Sequence, residues 1–310
     1  MNAELFIQAV KAGNFDEAKK EMSTLSDKKL SDTLFLLAYD DSNICSYAFA
    51  LFLLSKNNSI ASHRLAMLIP HMGIMYLPCA YSAAAYHARE IFEMSRSADP
   101  TDDGGILFLC IYPERTIRRD EAIEVAQEIL KYDPNDHWAL RVMEESPGWV
   151  EDPLVPARND REQLEQYIVA GKFTQAKELL SAVSTRELHA MLLYLGCEER
   201  NLCAYAFTWY LMQEKEQAEL HYLAYRIVTL AYARNMNGCD AAGLFHLKRA
   251  MALEPENEKY IEHFLMLHTP PLGRTLLISD DEAEMVAKQA LKKHQCSVFG
   301  QKVLEKLGRE

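Results

Sequence analysis

The sequence AGNFDEAK at residues 12–19 returns 158 positions later as AGKFTQAK at residues 170–177. The same shift carries NICSYAF at residues 43–49 onto NLCAYAF at residues 201–207 without a gap. Self-similarity on this scale is typical of repeat architectures, in which neighbouring units stack and commonly form binding surfaces. We therefore expect two homologous halves, in which the positions kept in both copies can be separated from those that differ.

Apolar residues recur in both halves with the period of an α-helix. The third expected helix of each half has leucines at i, i+4 and i+7, which are Leu30, Leu34 and Leu37, then Leu188, Leu192 and Leu195. This spacing places them on one helix face, so we expect them in the core. The fourth expected helix, residues 43–54 and 201–213, is apolar nearly all round and must be covered on most sides. No segment alternates as a strand does, and the sequence predicts an all-α protein.

The boundary between the halves is the segment SPGWVEDPLVP at residues 146–156. Its three prolines and its glycine cannot continue a helix, which indicates a stiff linker. The sequence thus predicts a first helical half over residues 1–146, a proline-rich linker over 147–158 and a second half over 159–310. We expect Trp149 and Val150 to hold the linker against a neighbouring surface.

A family resemblance rests on short motifs at the helix joints. The patterns Gly13-x-Phe15-x-x-Ala18 and Gly171-x-Phe173-x-x-Ala176 resemble the centre of a tetratricopeptide repeat, and residues 120–136 and 250–257 resemble its end. The whole chain also resembles uncharacterised bacterial helical-repeat proteins. The resemblance implies an α-solenoid of antiparallel helix pairs that binds a protein or peptide in a concave groove, and it implies no catalytic activity.

The composition limits the partners that we expect. Among 310 residues, 45 Asp and Glu outnumber 33 Lys and Arg, for a net charge of −12. This balance disfavours nucleic acid and anionic membranes as ligands and fits a basic partner. The apolar runs are too short to cross a bilayer, and no secretory pattern follows Met1. Seven cysteines without a Cys-x-x-Cys pair indicate reduced thiols, so a cytoplasmic location is expected.

Two histidines survive the duplication. His63 corresponds to His221, and with a shift of 159 His87 corresponds to His246. They lie on successive expected helices, so the two imidazoles of each half should approach one another. One interpretation is a metal or catalytic site, because neutral imidazole is a common metal ligand. The interpretation that we favour is structural, with buried histidines joining helices through hydrogen bonds.

The candidates for partner contact are Asn43, Tyr47, Arg115, Asn201, Tyr205 and Arg274. Asn43 and Tyr47 share a helix face and recur as Asn201 and Tyr205. They line a groove in one interpretation; in the other, the asparagine caps its helix and the tyrosine hydroxyl bonds a neighbouring carbonyl. Arg115 and Arg274 follow a turn in each half, where an arginine can contact a carboxylate.

The sequence lacks a glycine-rich phosphate loop, a nucleophile elbow and metal-spaced cysteines. We therefore predict a non-enzymatic protein- or peptide-binding scaffold without a cofactor. Three alternatives stay open. In the first, the chain is an immunity-type inhibitor of a basic toxin. In the second, it is a metal-binding or enzymatic protein that uses its histidines. In the third, it is a regulator whose halves close around a peptide at the linker.

Overall fold

The computed structural model describes residues 2–96, 105–111, 116–149, 156–232, 236–268, 278–293 and 297–308. These residues form α-helices joined by short turns, and they contain no β-strand. A single isolated bridge pairs Asn43 with Asn237. The all-α prediction is confirmed.

The helices before the linker are α1 (Asn2–Lys11), α2 (Phe15–Met22), α3 (Asp27–Tyr39), α4 (Cys45–Lys56), α5 (Ile60–Leu68), α6 (Ala80–Ser95), α7 (Gly105–Ile111), α8 (Arg119–Tyr132) and α9 (His137–Glu145). Those after it are α10 (Asp160–Val169), α11 (Phe173–Glu178), α12 (Thr185–Leu193), α13 (Leu202–Glu214), α14 (Ala218–Ile227), α15 (Cys239–Leu253), α16 (Glu258–His268), α17 (Asp280–Lys293) and α18 (Val298–Lys306). Wider π-helical turns extend α5 at Ile69–Gly73 and α14 at Val228–Tyr232.

Local sequence accounts for several of these boundaries. Ser26 accepts a hydrogen bond from the backbone N–H of Lys29 at the start of α3. Ser184 and Glu187 form a capping box at the start of α12. Such caps satisfy N–H groups that have no partner within the first helical turn.

The expected core positions are buried. Every residue of α4 from Cys45 to Leu54 is buried, and so is α13 from Leu202 to Trp209. Five of the six leucines singled out by their helical spacing are buried too, and Leu30 is partly buried. Helices that are apolar on all sides therefore occupy the centre of the molecule, as their sequence predicts.

Three apolar clusters organise the helices. The central cluster contains α4 and α13, with side chains from α1–α3 and α10–α12 on either side. A second cluster joins the outer face of α6 to α7, α8 and α9, and includes the buried Trp149. A third joins α14 and α15 to α16, α17 and α18. The central cluster thus takes side chains from both sides of the linker, whereas each side has its own outer cluster.

The turn between α1 and α2 packs on α15, and the turn between α10 and α11 packs on α6. A Cβ atom at Gly13 would overlap the carbonyl oxygen of Ala241, and one at Gly171 would overlap that of Ser82. Both glycines have positive φ, +71° and +65°. Glycine is therefore required twice over, by the left-handed backbone and by the closeness of the neighbouring helix.

Backbone hydrogen bonds tie the two sides together at the centre. The N–H of Ile44 donates to the carbonyl of Asn237 over 3.0 Å, and the N–H of Leu202 donates to that of Pro78 over 3.0 Å. The Sγ of Cys45 lies 3.2 Å from the carbonyl oxygen of Gly238. These contacts join the start of α4 to the start of α15 and the start of α13 to the start of α6.

The prediction for Trp149 is confirmed, because its side chain belongs to the second cluster. Val150 lies outside the described residues. Within the described parts of the chain, no helix has the length and apolar character that a membrane span requires.

Candidate functional site

Each side of the molecule contains a chain of four hydrogen-bonded side chains, which we call a relay; three of the four are buried and the outermost is exposed. The first relay is Tyr47, His87, His63 and Asn58, and the second is Tyr205, His246, His221 and Glu216. The expected approach of the paired imidazoles is observed. Their Nδ1 atoms are 3.0 Å apart in the first relay and 2.9 Å apart in the second.

The acceptor at the outer end of the second relay sets the direction of its hydrogen bonds. The carboxylate of Glu216 accepts only, so the Nε2 of His221, 3.0 Å away, carries the proton. The Nδ1 of His221 then accepts from the Nδ1–H of His246. The Nε2 of His246 consequently accepts from the hydroxyl of Tyr205 over 2.9 Å. In the first relay the Oδ1 of Asn58, 2.9 Å from the Nε2 of His63, imposes the same direction.

This arrangement needs neutral imidazoles. Burial lowers the pKa of His63 to about 4, and it lowers the pKa of His87 well below its usual value. Burial likewise lowers the pKa of His221 to about 4, although the bond to Glu216 works in the opposite direction. When both rings are neutral, the Nδ1–H of one ring donates to the Nδ1 of the other, so both Nδ1 atoms have a hydrogen-bond partner.

The two relays meet at the centre of the molecule. The rings of Tyr47 and Tyr205 are 6.5 Å apart between centroids, and both side chains are fully buried. Burial raises the pKa of Tyr47 well above its usual value. The inner end of each relay is therefore a neutral hydroxyl without solvent access. The first relay joins α4, α5 and α6, and the second joins α13, α14 and α15.

The residues that the sequence suggested for contact with a partner fall into two groups. Asn43 and Asn201 are buried, and the Oδ1 of each accepts a hydrogen bond of 2.9 Å from the backbone N–H two residues later. This is the capping alternative. The tyrosines bond to histidines rather than to carbonyls. All four side chains are buried, and their contact with a partner stays a prediction.

Arg115 and Arg274 lie outside the described residues, so their predicted contact with a carboxylate stays a prediction. Among the side chains that the structure describes, no three His, Cys, Asp or Glu gather as a metal ion would require.

A groove of about 780 Å³ lies between α6, α8 and the turn that opens α11. Sequence reasoning missed it, because its walls come from separate segments spread over residues 86–175. Apolar side chains line part of it: Tyr86, Phe92, Ile106, Val125 and Phe173. Its charged lining consists of Arg89, Glu90, Glu93, Arg96, Asp120, Glu121, Glu124, Glu128, Lys131 and Lys172.

Arg89 holds the groove together. Its guanidinium donates to both carboxylate oxygens of Glu121, with distances of 2.5 and 3.2 Å. It also donates to the backbone carbonyls of Ala170 and Gly171, over 3.1 and 3.2 Å. Lys172 lies 3.2 Å from the same carboxylate. Burial by itself raises the pKa of Glu121, but Arg89 and Lys172 outweigh it and bring that pKa below its usual value.

The cations of the groove are engaged by only some of its acids. Arg89 and Lys172 pair with Glu121, Arg96 pairs with Glu93 and Glu128, and Lys131 pairs with Glu128. Three carboxylates, those of Glu90, Asp120 and Glu124, form no ion pair within the described part of the chain. Burial raises the pKa of Glu90, while a hydrogen bond from Thr174 partly opposes the shift. The groove therefore keeps an excess of negative charge beside an apolar wall.

Comparisons of the chain with protein-family models, with curated proteins and with solved structures find no match.

Proposed function

We propose that the chain is a non-enzymatic binding protein that holds a basic, partly apolar peptide segment of a partner protein in the groove between α6, α8 and α11. The observation that carries the proposal is the excess of carboxylates beside an apolar wall in this groove. Its volume, about 780 Å³, suits several side chains of a peptide.

Charge supports a basic segment over an acidic one. The described lining contains six carboxylates and four cations, and the whole chain has a net charge of −12. Opposite charges speed association and disfavour acidic competitors. Tyr86, Phe92 and Phe173 offer aromatic surface for apolar side chains of the same segment, and burial of that surface would supply much of the affinity.

A duplicated helical-repeat organisation, similar to tetratricopeptide repeats, belongs to the same proposal. Its support is that unusual backbone recurs in pairs. Positive φ occurs at Gly13, Ser42 and Cys79, and again at Gly171, Arg200 and Gly238. The ion pair of Arg89 with Glu121 between α6 and α8 corresponds to that of Lys248 with Glu282 between α15 and α17.

The test uses a fluorescent synthetic peptide rich in lysine and phenylalanine, with a control peptide in which glutamate replaces lysine. We expect saturable binding of the basic peptide alone, measured by fluorescence anisotropy. Glu124→Lys should lower the affinity about tenfold or more, because Glu124 is an exposed carboxylate of the lining that forms no ion pair with any described residue.

The matched control is Glu305→Lys on α18, which makes the same change in net charge away from the groove lining. It should leave the affinity nearly unchanged. Equal losses in the two variants would show that only overall charge matters, and binding of the glutamate peptide would contradict the proposal directly.

A further inference from the structure

A second, smaller cavity lies at the outer end of the second relay. It has a volume of about 170 Å³ and opens between α4, α13 and α15. Its main lining residues are Phe52, Lys56, Trp209, Glu216, Phe245 and Arg249; we call it the aromatic pocket. It stands apart from the groove described above and does not depend on the peptide-binding proposal.

Three rings form the wall of the aromatic pocket. Trp209 and Phe245 lie nearly parallel, with an interplanar angle of 12° and centroids 6.1 Å apart. Phe52 meets Phe245 edge to face, with centroids 5.6 Å apart. A cavity of about 150 Å³ lined by apolar side chains is known to hold benzene. The aromatic pocket therefore has room for one six-membered ring.

The charges at the rim favour an anion. The carboxylate of Glu216 already accepts hydrogen bonds from Arg249, over 2.6 and 3.0 Å, and from His221, over 3.0 Å. Lys56 forms no ion pair within the described residues; its Nζ lies 5.3 Å from the centroid of the Phe52 ring. At the rim, Lys56 thus has no carboxylate partner among the described residues, and Arg249 shares the carboxylate of Glu216 with His221.

The corresponding place on the other side of the molecule has the opposite charge. Lys56 corresponds to Glu214 with a shift of 158, and Arg249 corresponds to Glu90 with a shift of 159. Repeated packing alone does not call for a pair of cations here, since the matching positions hold a pair of acids. The positive rim is a property of this pocket and not of the repeat.

We propose that the aromatic pocket binds a monocyclic aromatic carboxylate. The ring of the ligand lies against Trp209 and Phe245, and its carboxylate accepts hydrogen bonds from Lys56 and Arg249. Such bonds between ionised groups are stronger than those between neutral groups. The aromatic wall excludes water from one face of the ligand, which strengthens the electrostatic attraction.

Benzoate is the probe, and isothermal titration calorimetry of the full chain at constant ionic strength is the measurement. We expect one benzoate to bind per chain. Benzamide and acetate should each bind at least about tenfold more weakly than benzoate. Benzamide keeps the ring without the charge, and acetate keeps the charge without the ring. Equal binding of acetate and benzoate would reveal an unspecific anion effect and overturn the proposal, as would the absence of benzoate binding up to its solubility limit.

Lys56→Gln locates the site, because this exposed side chain can be replaced without disturbing the core. It should lower the affinity for benzoate about tenfold. The control, Lys215→Gln, removes an exposed lysine that follows α13 but does not line the pocket, and it should keep the wild-type affinity. Circular dichroism confirms that both variants stay folded. Wild-type affinity in Lys56→Gln, or the same loss in both variants, would contradict the assignment.

Discussion

The hydroxyl groups of Tyr47 and Tyr205 each depend on one buried histidine for their hydrogen bond. Because each relay is directional, each of its two histidines accepts a hydrogen bond from one neighbour and donates one to the next. A buried polar group that loses its partner costs about 1 to 3 kcal/mol. The relays therefore commit the central helices to one arrangement, and they are sensitive to any change of protonation.

At the residue scale we predict a loss of stability in mild acid. The pKa values of His63 and His221 are about 4 in the folded protein, below the ordinary value of 6.5. Between these pH values the unfolded chain binds more protons than the folded one, so the free energy of unfolding is highest above pH 6.5 and falls as the pH drops towards 4. Each ring contributes roughly 3 kcal/mol to this fall. Urea unfolding at several pH values measures it.

The comparison variant for this prediction is His221→Gln, which keeps a polar side chain but cannot take up the proton. Its stability at neutral pH should be lower, and its dependence on pH between 6.5 and 4 should be shallower than that of the wild type. His137→Gln removes an exposed histidine and should leave the slope unchanged. The same slope in all three proteins would refute the assignment to the relay.

At the element scale, the short turns between paired helices bring distant parts of the chain together. The turn at Gly171 lies against α6, and Arg89 of that helix donates to the carbonyl groups of Ala170 and Gly171. The turn at Gly13 lies against α15 in the same way. The glycines at these two turns thus also set the distance between the two sides of the molecule.

Gly171→Ala should therefore destabilise the protein by about 3 kcal/mol or more, since it adds a steric overlap with Ser82 to the strain of a left-handed backbone. Gly308 is a matched control, because its φ is +64° but no heavy atom lies within 4 Å of an added Cβ. Gly308→Ala should cost only about 1 kcal/mol, the price of the backbone strain alone. Thermal and urea unfolding compare the two; similar losses would mean that the contact with α6 contributes little.

At the scale of the whole molecule, the central cluster is common to both sides of the linker. Its core includes Phe49 and Phe52 on α4 and Phe207 and Trp209 on α13, and the ring of Phe15 on α2 packs on Phe245 of α15 with centroids 4.5 Å apart. Separating the sides would expose these apolar surfaces to water. Burial of such surface is the dominant stabilising term in a folded domain.

We therefore predict that the fragments 1–155 and 156–310, produced separately, do not reach the stability of the intact chain. Each should bind a hydrophobic dye and lack a sharp thermal transition, because half of its central surface is uncovered. Mixing the fragments should restore a complex of the intact size, seen by size-exclusion chromatography, with a cooperative transition. Two fragments that each unfold as cooperatively and as late as the intact chain would contradict the shared core.

Local patterns predicted much of the helical framework. Leu34, Leu37, Leu192 and Leu195 are buried as their spacing predicts, and α4 and α13 are buried nearly all round as their apolar sequences predict. The helix caps at Ser26 and Ser184 follow from the same kind of signal. Such signals act within one or two helical turns, so a single sequence contains them in full.

The site was less accessible to sequence reasoning. The approach of His63 to His87 could be predicted, because both survive the duplication on neighbouring helices. The bond from Tyr47 to His87 could not, since the two interpretations of the sequence placed this hydroxyl either in a groove or on a neighbouring carbonyl. Neither the groove nor the aromatic pocket has a local signature, because Glu121 and Lys172, or Lys56 and Arg249, become neighbours only when distant helices pack.

The sequence by itself therefore determined the helices, their buried faces, their caps and the residues repeated 158 positions apart. Only the tertiary structure decided that α4 and α13 share one core, that the two relays meet at Tyr47 and Tyr205, and that Lys56 and Arg249 come to line one pocket. The physical reason is the distance along the chain between the residues that interact. Helix formation and capping are settled by neighbours along the chain, whereas a groove or a pocket is settled by packing between segments whose separation no local pattern encodes.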